Sequence, residues 1–149
     1  MTRTPRLATI ALLGAGAILF VAAAAAVAVG LINPRLISDR LPPDAVIDAP
    51  AVGGAAVALG VAIGLLGLAH VGVVAAMWRG VSVASTAGVV LAAGMAVLSF
   101  GFAVSALVSI ASGAAPAIIM VPAAVGLGSG VIGYAAATLA ILRAQRAAI

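Results

Sequence analysis

Residues 51–78 read AVGGAAVALGVAIGLLGLAHVGVVAAMW, a run without a single Asp, Glu, Lys or Arg. A hydrocarbon core of about 30 Å takes about 20 apolar helical residues to cross, so this run is long enough to span a bilayer as one helix. A strand is excluded, because transmembrane strands alternate apolar and polar positions over about ten residues and this run is apolar throughout. Pro50 opens it, in a first helical turn where a missing N–H costs nothing. Trp78 and Arg79 close it as an interfacial anchor.

The same reading extends in both directions. Residues 7–32 carry no charge and end before Asn33-Pro34, which breaks the helix. Between Arg79 and Arg143 no residue is formally charged, and that stretch is too long for one span. It divides at Ser112-Gly113-Ala114-Ala115-Pro116, a tight-turn sequence, into spans over 83–111 and 117–142. In lipid only helices and closed barrels satisfy their own backbones. The expected fold is therefore all-α: a polytopic membrane protein, a four-transmembrane-helix bundle forming one domain over 1–149, with an outer loop at 33–50.

Composition agrees. Of 149 residues, 66% are apolar and 7% charged, and there is no Cys. Soluble domains are about half apolar and about a quarter charged, so this chain lacks the polar surface to cover a water-facing globule. Disorder is excluded by the apolar content, and a disulfide scaffold by the missing cysteines. All basic residues are Arg and all acidic ones Asp, which with the abundance of Ala and Gly reads as GC-rich coding. The broad plan is shared by many small bacterial membrane proteins. The arginines stand singly or in pairs at the edges of apolar runs rather than in a stripe with interleaved aromatics, so a nucleic-acid partner is not expected.

Charge placement sets an expected orientation. Arg3, Arg6, Arg79, Arg143 and Arg146 fall on one side of a four-span chain, with no acid among them. The other side carries Arg35 and Arg40 against Asp39, Asp44 and Asp48. The positive-inside rule places both termini in the cytoplasm, in the plasma membrane. The N-terminus also resembles a signal peptide, with a basic start and Ala-x-Ala sites at 22–26. Its apolar run exceeds the usual 7–15 residues, which favours a retained first helix.

The loop at 33–50 reads as a connector. Its apolar residues Leu36, Ile37, Val46 and Ile47 would let it lie on the membrane surface or on a partner. Asp44 and Asp48 stand four apart, but two carboxylates without a third ligand make no convincing metal site.

Small residues gather on helix faces. Gly53, Gly60, Gly64 and Gly67 share one face of the second span. Ala87, Gly94, Gly101, Ser105, Ser109 and Ser112 line the third, and Pro122, Gly126, Gly130, Gly133 and Ala137 the fourth. Lipid offers little hydrophobic drive for helix association; small residues instead let backbones approach and gain van der Waals contact. These faces predict tight helix packing, within the bundle or between subunits.

His70 is the only His and the only ionisable side chain well inside a span. At about 1.5 Å per residue it lies about 12 Å below the boundary marked by Trp78. A polar group at that depth is a functional candidate: a proton carrier, a haem ligand or a metal ligand. Each role needs a partner, and the spans hold no Asp, Glu, Cys or second His. The plainer reading is an imidazole bonded to a Ser or a carbonyl of a neighbouring helix. Tyr134 lies at a similar depth in the fourth span, so His70, Tyr134, Ser105 and Ser109 make a candidate polar path. Ser hydroxyls in membrane helices most often bond back to their own helix.

Catalysis finds no support in the residues. Acid–base work needs a titratable pair and covalent catalysis an activated nucleophile beside a base. The Gly126-Leu127-Gly128-Ser129-Gly130 run lacks the Lys and the preceding strand of a phosphate loop. The leading expectation is a non-enzymatic membrane protein, either self-associating or an accessory subunit of a larger membrane complex, without a cofactor. Two readings compete with it: a small oligomeric channel or transporter using His70 and the Ser face, and a haem- or quinone-binding anchor using His70.

Overall fold

The computed structural model describes residues 6–39, 48–113 and 117–147. They form α1 (Arg6–Ile32), α2 (Arg35–Ser38), α3 (Ala49–Trp78), α4 (Ala84–Ala111) and α5 (Ala117–Arg146). Four of these helices, all but the four-residue α2, are long and apolar enough to cross a membrane. Their large side chains face outward on every side: Ile18, Leu59, Val97 and Phe102, for example, are all exposed. Such helices bury little of themselves in their own chain and take their apolar solvation from lipid.

Each boundary has a local cause. α3 begins at Ala49, two residues ahead of the predicted run, because the Asp48 carboxylate accepts a hydrogen bond from the Ala51 N–H at 2.8 Å. This satisfies one of the donors a helix start leaves orphaned. α3 ends at Trp78, and the turn that closes it carries Gly80 at φ 71°. There the Val81 N–H reaches the Ala76 carbonyl and the Gly80 N–H the Met77 carbonyl, both at 3.1 Å, a paired C-terminal closure that requires a left-handed residue. Gly113 (φ 70°) ends α4 with its N–H on the Ile110 carbonyl. α5 runs past the predicted Leu142 to Arg146, since long basic side chains leave the apolar zone by their own length. Pro122 lies within α5, where spanning helices tolerate the lost hydrogen bond. In the loop at 33–50, residues 35–38 form α2; residues 40–47, with Asp44, Val46 and Ile47, lie outside the described residues, as do residues 114–116 of the turn after Gly113.

The chain divides into two compact units, Gly14–Val71 and Met1–Leu13 with Gly72–Ile149. In the first, α1 and α3 run antiparallel through glycine. A methyl group placed on Gly30 would lie 2.7 Å from the Gly53 carbonyl oxygen, and one on Gly53 would lie 2.8 Å from that of Gly30. Fourteen residues along, the reciprocal pair recurs: Gly16 against Gly67 O at 3.4 Å, and Gly67 against Gly16 O at 3.3 Å. Midway, Gly60 would meet Val27 Cγ2 at 2.7 Å and the Ala23 carbonyl at 2.9 Å, and Gly64 lies 3.6 Å from Ala23 Cβ. Steps of seven forward on α1 (16, 23, 30) thus meet steps of seven back on α3 (67, 60, 53). All four glycines of the predicted α3 face look at α1.

In the second unit α4 and α5 run antiparallel. Gly88 sits where three segments converge: an added methyl would lie 3.2 Å from Ile141 Cδ1, 3.3 Å from Met77 Sδ and 3.4 Å from Val73 Cγ1. Further along, Gly130 is in ordinary contact with the Ser99 hydroxyl at 3.5 Å. The other predicted packing glycines of these helices, Gly94, Gly101, Gly126 and Gly133, face open space, with no described heavy atom within 4 Å of an added methyl. The α4–α5 contacts instead pass through Gly88 with Ile141 and Ser99 with Gly130.

Gly60→Ala and Gly53→Ala therefore overpack a backbone contact and should lower unfolding stability in detergent by about 1–3 kcal/mol. Gly72→Ala, which meets no described atom, should be neutral or gain up to about 1 kcal/mol from helix propensity. Thermal unfolding of the three variants checks the contrast.

Candidate functional site

His70 lies in the unit Gly14–Val71 and is fully buried. Glycine makes that position accessible to α1: a methyl on Gly16 would stand 3.2 Å from His70 Cβ and 3.7 Å from Val71 Cγ2. The Phe20 ring packs against Gly67, on the same helix as His70, 3.3 Å from an added methyl.

The ring is held from its own helix. His70 Nδ1 lies 2.7 Å from the Leu66 carbonyl oxygen, one turn earlier. A carbonyl only accepts, so Nδ1 carries the hydrogen and donates. Nδ1 is thus held within its own helix, where the i−4 carbonyl lies one turn from the ring. No buried side-chain nitrogen or oxygen among the described residues lacks a hydrogen-bond partner, so Nε2 is engaged as well.

A haem iron would have to take its bond from Nε2, the nitrogen left with a lone pair. In a ring with no exposed surface and Nε2 already partnered, that requires the helices to part, and the residues as packed do not fit the group. Among the described residues no three His, Cys, Asp or Glu side chains gather to hold a metal. The other titratable groups among this unit's described residues, Arg35, Asp39 and Asp48, belong to the loop end. Asp48 is twenty-two residues from His70, about 33 Å along a helix.

The four residues of the predicted polar path do not share a unit. Tyr134, Ser105 and Ser109 belong to the unit with Gly72–Ile149. Tyr134 is buried and its carbonyl accepts from the Thr138 hydroxyl at 2.8 Å. Ser109 donates to the Ser105 carbonyl at 2.9 Å and Ser112 to that of Ser109 at 3.3 Å. The hydroxyls of Ser109 and Ser112 thus bond back along their own helix, as short polar side chains do in membrane helices. Ser129 does the same on α5, to Gly126 O at 2.7 Å.

Two features of this region were not read from the sequence. The α1 half of the seam, Gly16, Ala23 and Gly30, is hidden among the alanines of residues 22–26, although its spacing of seven is visible once the partner is known. The Asp48 cap was legible as Asp followed two residues later by Pro50. Comparison with protein-family models, with curated proteins and with solved structures finds no match to this chain.

His70→Ala removes a buried, bonded ring and leaves its space empty. The expected cost is about 2–4 kcal/mol, in the range of large-to-small core changes. Thermal unfolding should register that loss with no change in helix content below the transition.

Proposed function

We propose that this chain is a non-enzymatic integral membrane protein that works by association, as a homo-oligomer or as an accessory subunit of a larger membrane complex. The observation that carries this reading is an asymmetry between glycine faces. On α3 the glycines at spacing seven are consumed by α1. On α4 and α5 the pairs at the same spacing, Gly94 with Gly101 and Gly126 with Gly133, meet nothing in the described chain. Faces of that kind favour close helix approach in lipid, and a second copy or another membrane subunit supplies the missing helix. The scarcity of chemistry supports the non-enzymatic part: the one intramembrane imidazole is enclosed and bonded, and the Ser109 hydroxyl is spent on its own helix.

The same reading places the protein in a bacterial plasma membrane with both termini in the cytoplasm. Four spans in alternation put Arg6, Arg79, Arg143 and Arg146 on one side and Arg35, Asp39 and Asp48 on the other, the side excess of Arg that marks the cytoplasm.

Native mass spectrometry of the gently solubilised protein tests the proposal. The expected result is more than one copy, or a stoichiometric membrane partner. The double variant Gly94→Leu/Gly101→Leu should reduce the species to a lone folded chain. Gly72→Leu, on an exposed position of α3 that also meets nothing, should leave the assembly intact. A lone wild-type monomer contradicts the reading.

A further inference from the structure

We propose that the α3–α4 turn and the last turn of α5 form a binding surface for the phosphate headgroup of an anionic phospholipid. The surface is built within one unit. Met77 near the end of α3 and Ile141 near the end of α5 both come within 3.3 Å of the same point above Gly88, near the start of α4. Two residues beyond each contact stand Arg79 and Arg143, and one turn beyond Arg143 stands Arg146. Three cations therefore issue from one end of a three-helix convergence.

All three are exposed, and none forms an ion pair with a described residue. None has an acidic competitor in its own unit: the acids of the sequence are Asp39, Asp44 and Asp48, and no Asp or Glu occurs at any later position. Arg143 and Arg146, three apart on α5, share a side of the helix. The start of α4 adds to the same field. Val83 at its N-cap supplies no side-chain hydrogen bond to the first turn, and a helix start carries partial positive charge and free N–H donors.

The partner's chemistry follows from where this end lies. Trp78, the only tryptophan, is 64% exposed and directly precedes Arg79. Tryptophan settles at headgroup depth, so the arginines stand at the level of lipid phosphates. An arginine fork matches phosphate oxygens in pairs, and basic clusters at a membrane surface attract anionic lipid. Zwitterionic headgroups carry a compensating ammonium and gain less from three unpaired cations.

Trp78 also supplies the probe. The full chain is reconstituted in phosphatidylcholine vesicles with rising fractions of either brominated phosphatidylglycerol or brominated phosphatidylcholine, and Trp78 fluorescence quenching gives the relative affinity. The anionic lipid should be preferred at least about fivefold, the figure for one arginine near a charged surface. The preference should fall as KCl rises from about 50 to about 500 mM, because headgroup attraction is screened within a Debye length. Arg79→Gln/Arg143→Gln/Arg146→Gln should abolish it, the triple Lys variant should keep most of it, and Arg35→Gln in the other unit should leave it unchanged. Inorganic phosphate at millimolar concentration should not displace it, since the site takes the headgroup from the lipid surface. Equal quenching by the two lipids, a preference indifferent to salt, or one lost equally with Arg35→Gln overturns the proposal. The wild-type salt series decides the matter even where the triple Gln variant fails to fold.

Discussion

Backbone against backbone is the contact on which the α1–α3 unit depends. At Gly30 and Gly53, and again at Gly16 and Gly67, each glycine presents its Cα to the carbonyl oxygen of the other. The hydrogen that stands where a side chain would begin points at that oxygen, an arrangement worth up to about 1 kcal/mol for each such contact. In water, helices of this composition would be driven together by hydrophobic burial. In lipid that drive is absent, and what remains is the number of atoms brought to contact distance. Glycine raises that number by removing the atoms that would hold the helices apart. The seven-residue spacing keeps the contacts on one seam along both helices.

The position of His70 follows from that contact. The imidazole is deeply enclosed because Gly16 leaves room for it, and it is tolerated because the Leu66 carbonyl lies 2.7 Å from Nδ1. An isolated polar group in such a place would cost several kcal/mol. A bonded one serves the packing of the unit, and its burial argues against roles that need access from lipid or water. The α4–α5 pair is built differently. Its seam uses a mixture of small and large residues, Gly88 against Ile141 and Gly130 beside Ser99, and leaves its regularly spaced glycines outward.

The four long helices were legible in the sequence because uninterrupted apolar runs between Asn33-Pro34, Arg79-Gly80 and Ser112-Gly113 permit no other reading. The α3 face was legible for a related reason: four glycines on one side of a helix stand out against Leu and Val. The α1 face was not, because Ala22–Ala26 makes every side of that helix small and erases the pattern. The glycines of α4 and α5 looked equivalent to those of α3 by spacing alone. Which of them meets a neighbour depends on helix rotation, which a run apolar on all sides does not encode. His70 stood out as the one imidazole in the spans, but the partner of its Nδ1 did not, since a carbonyl of its own helix leaves no mark on residue identity.

The register of α1 on α3 is the claim most open to direct measurement. The chain contains no Cys, so a cysteine pair can be introduced without competition. Ala23 Cβ lies 3.6 Å from the Cβ position of Gly64, within the separation of about 3.5–4.5 Å that a disulfide spans. Ala23→Cys/Gly64→Cys should oxidise to an intramolecular bridge readily in membranes, and Ala23→Cys/Val61→Cys, moved about 60° around the helix from the α1-facing position, should not. Bridging by the second pair, or its absence in the first, would contradict the glycine register.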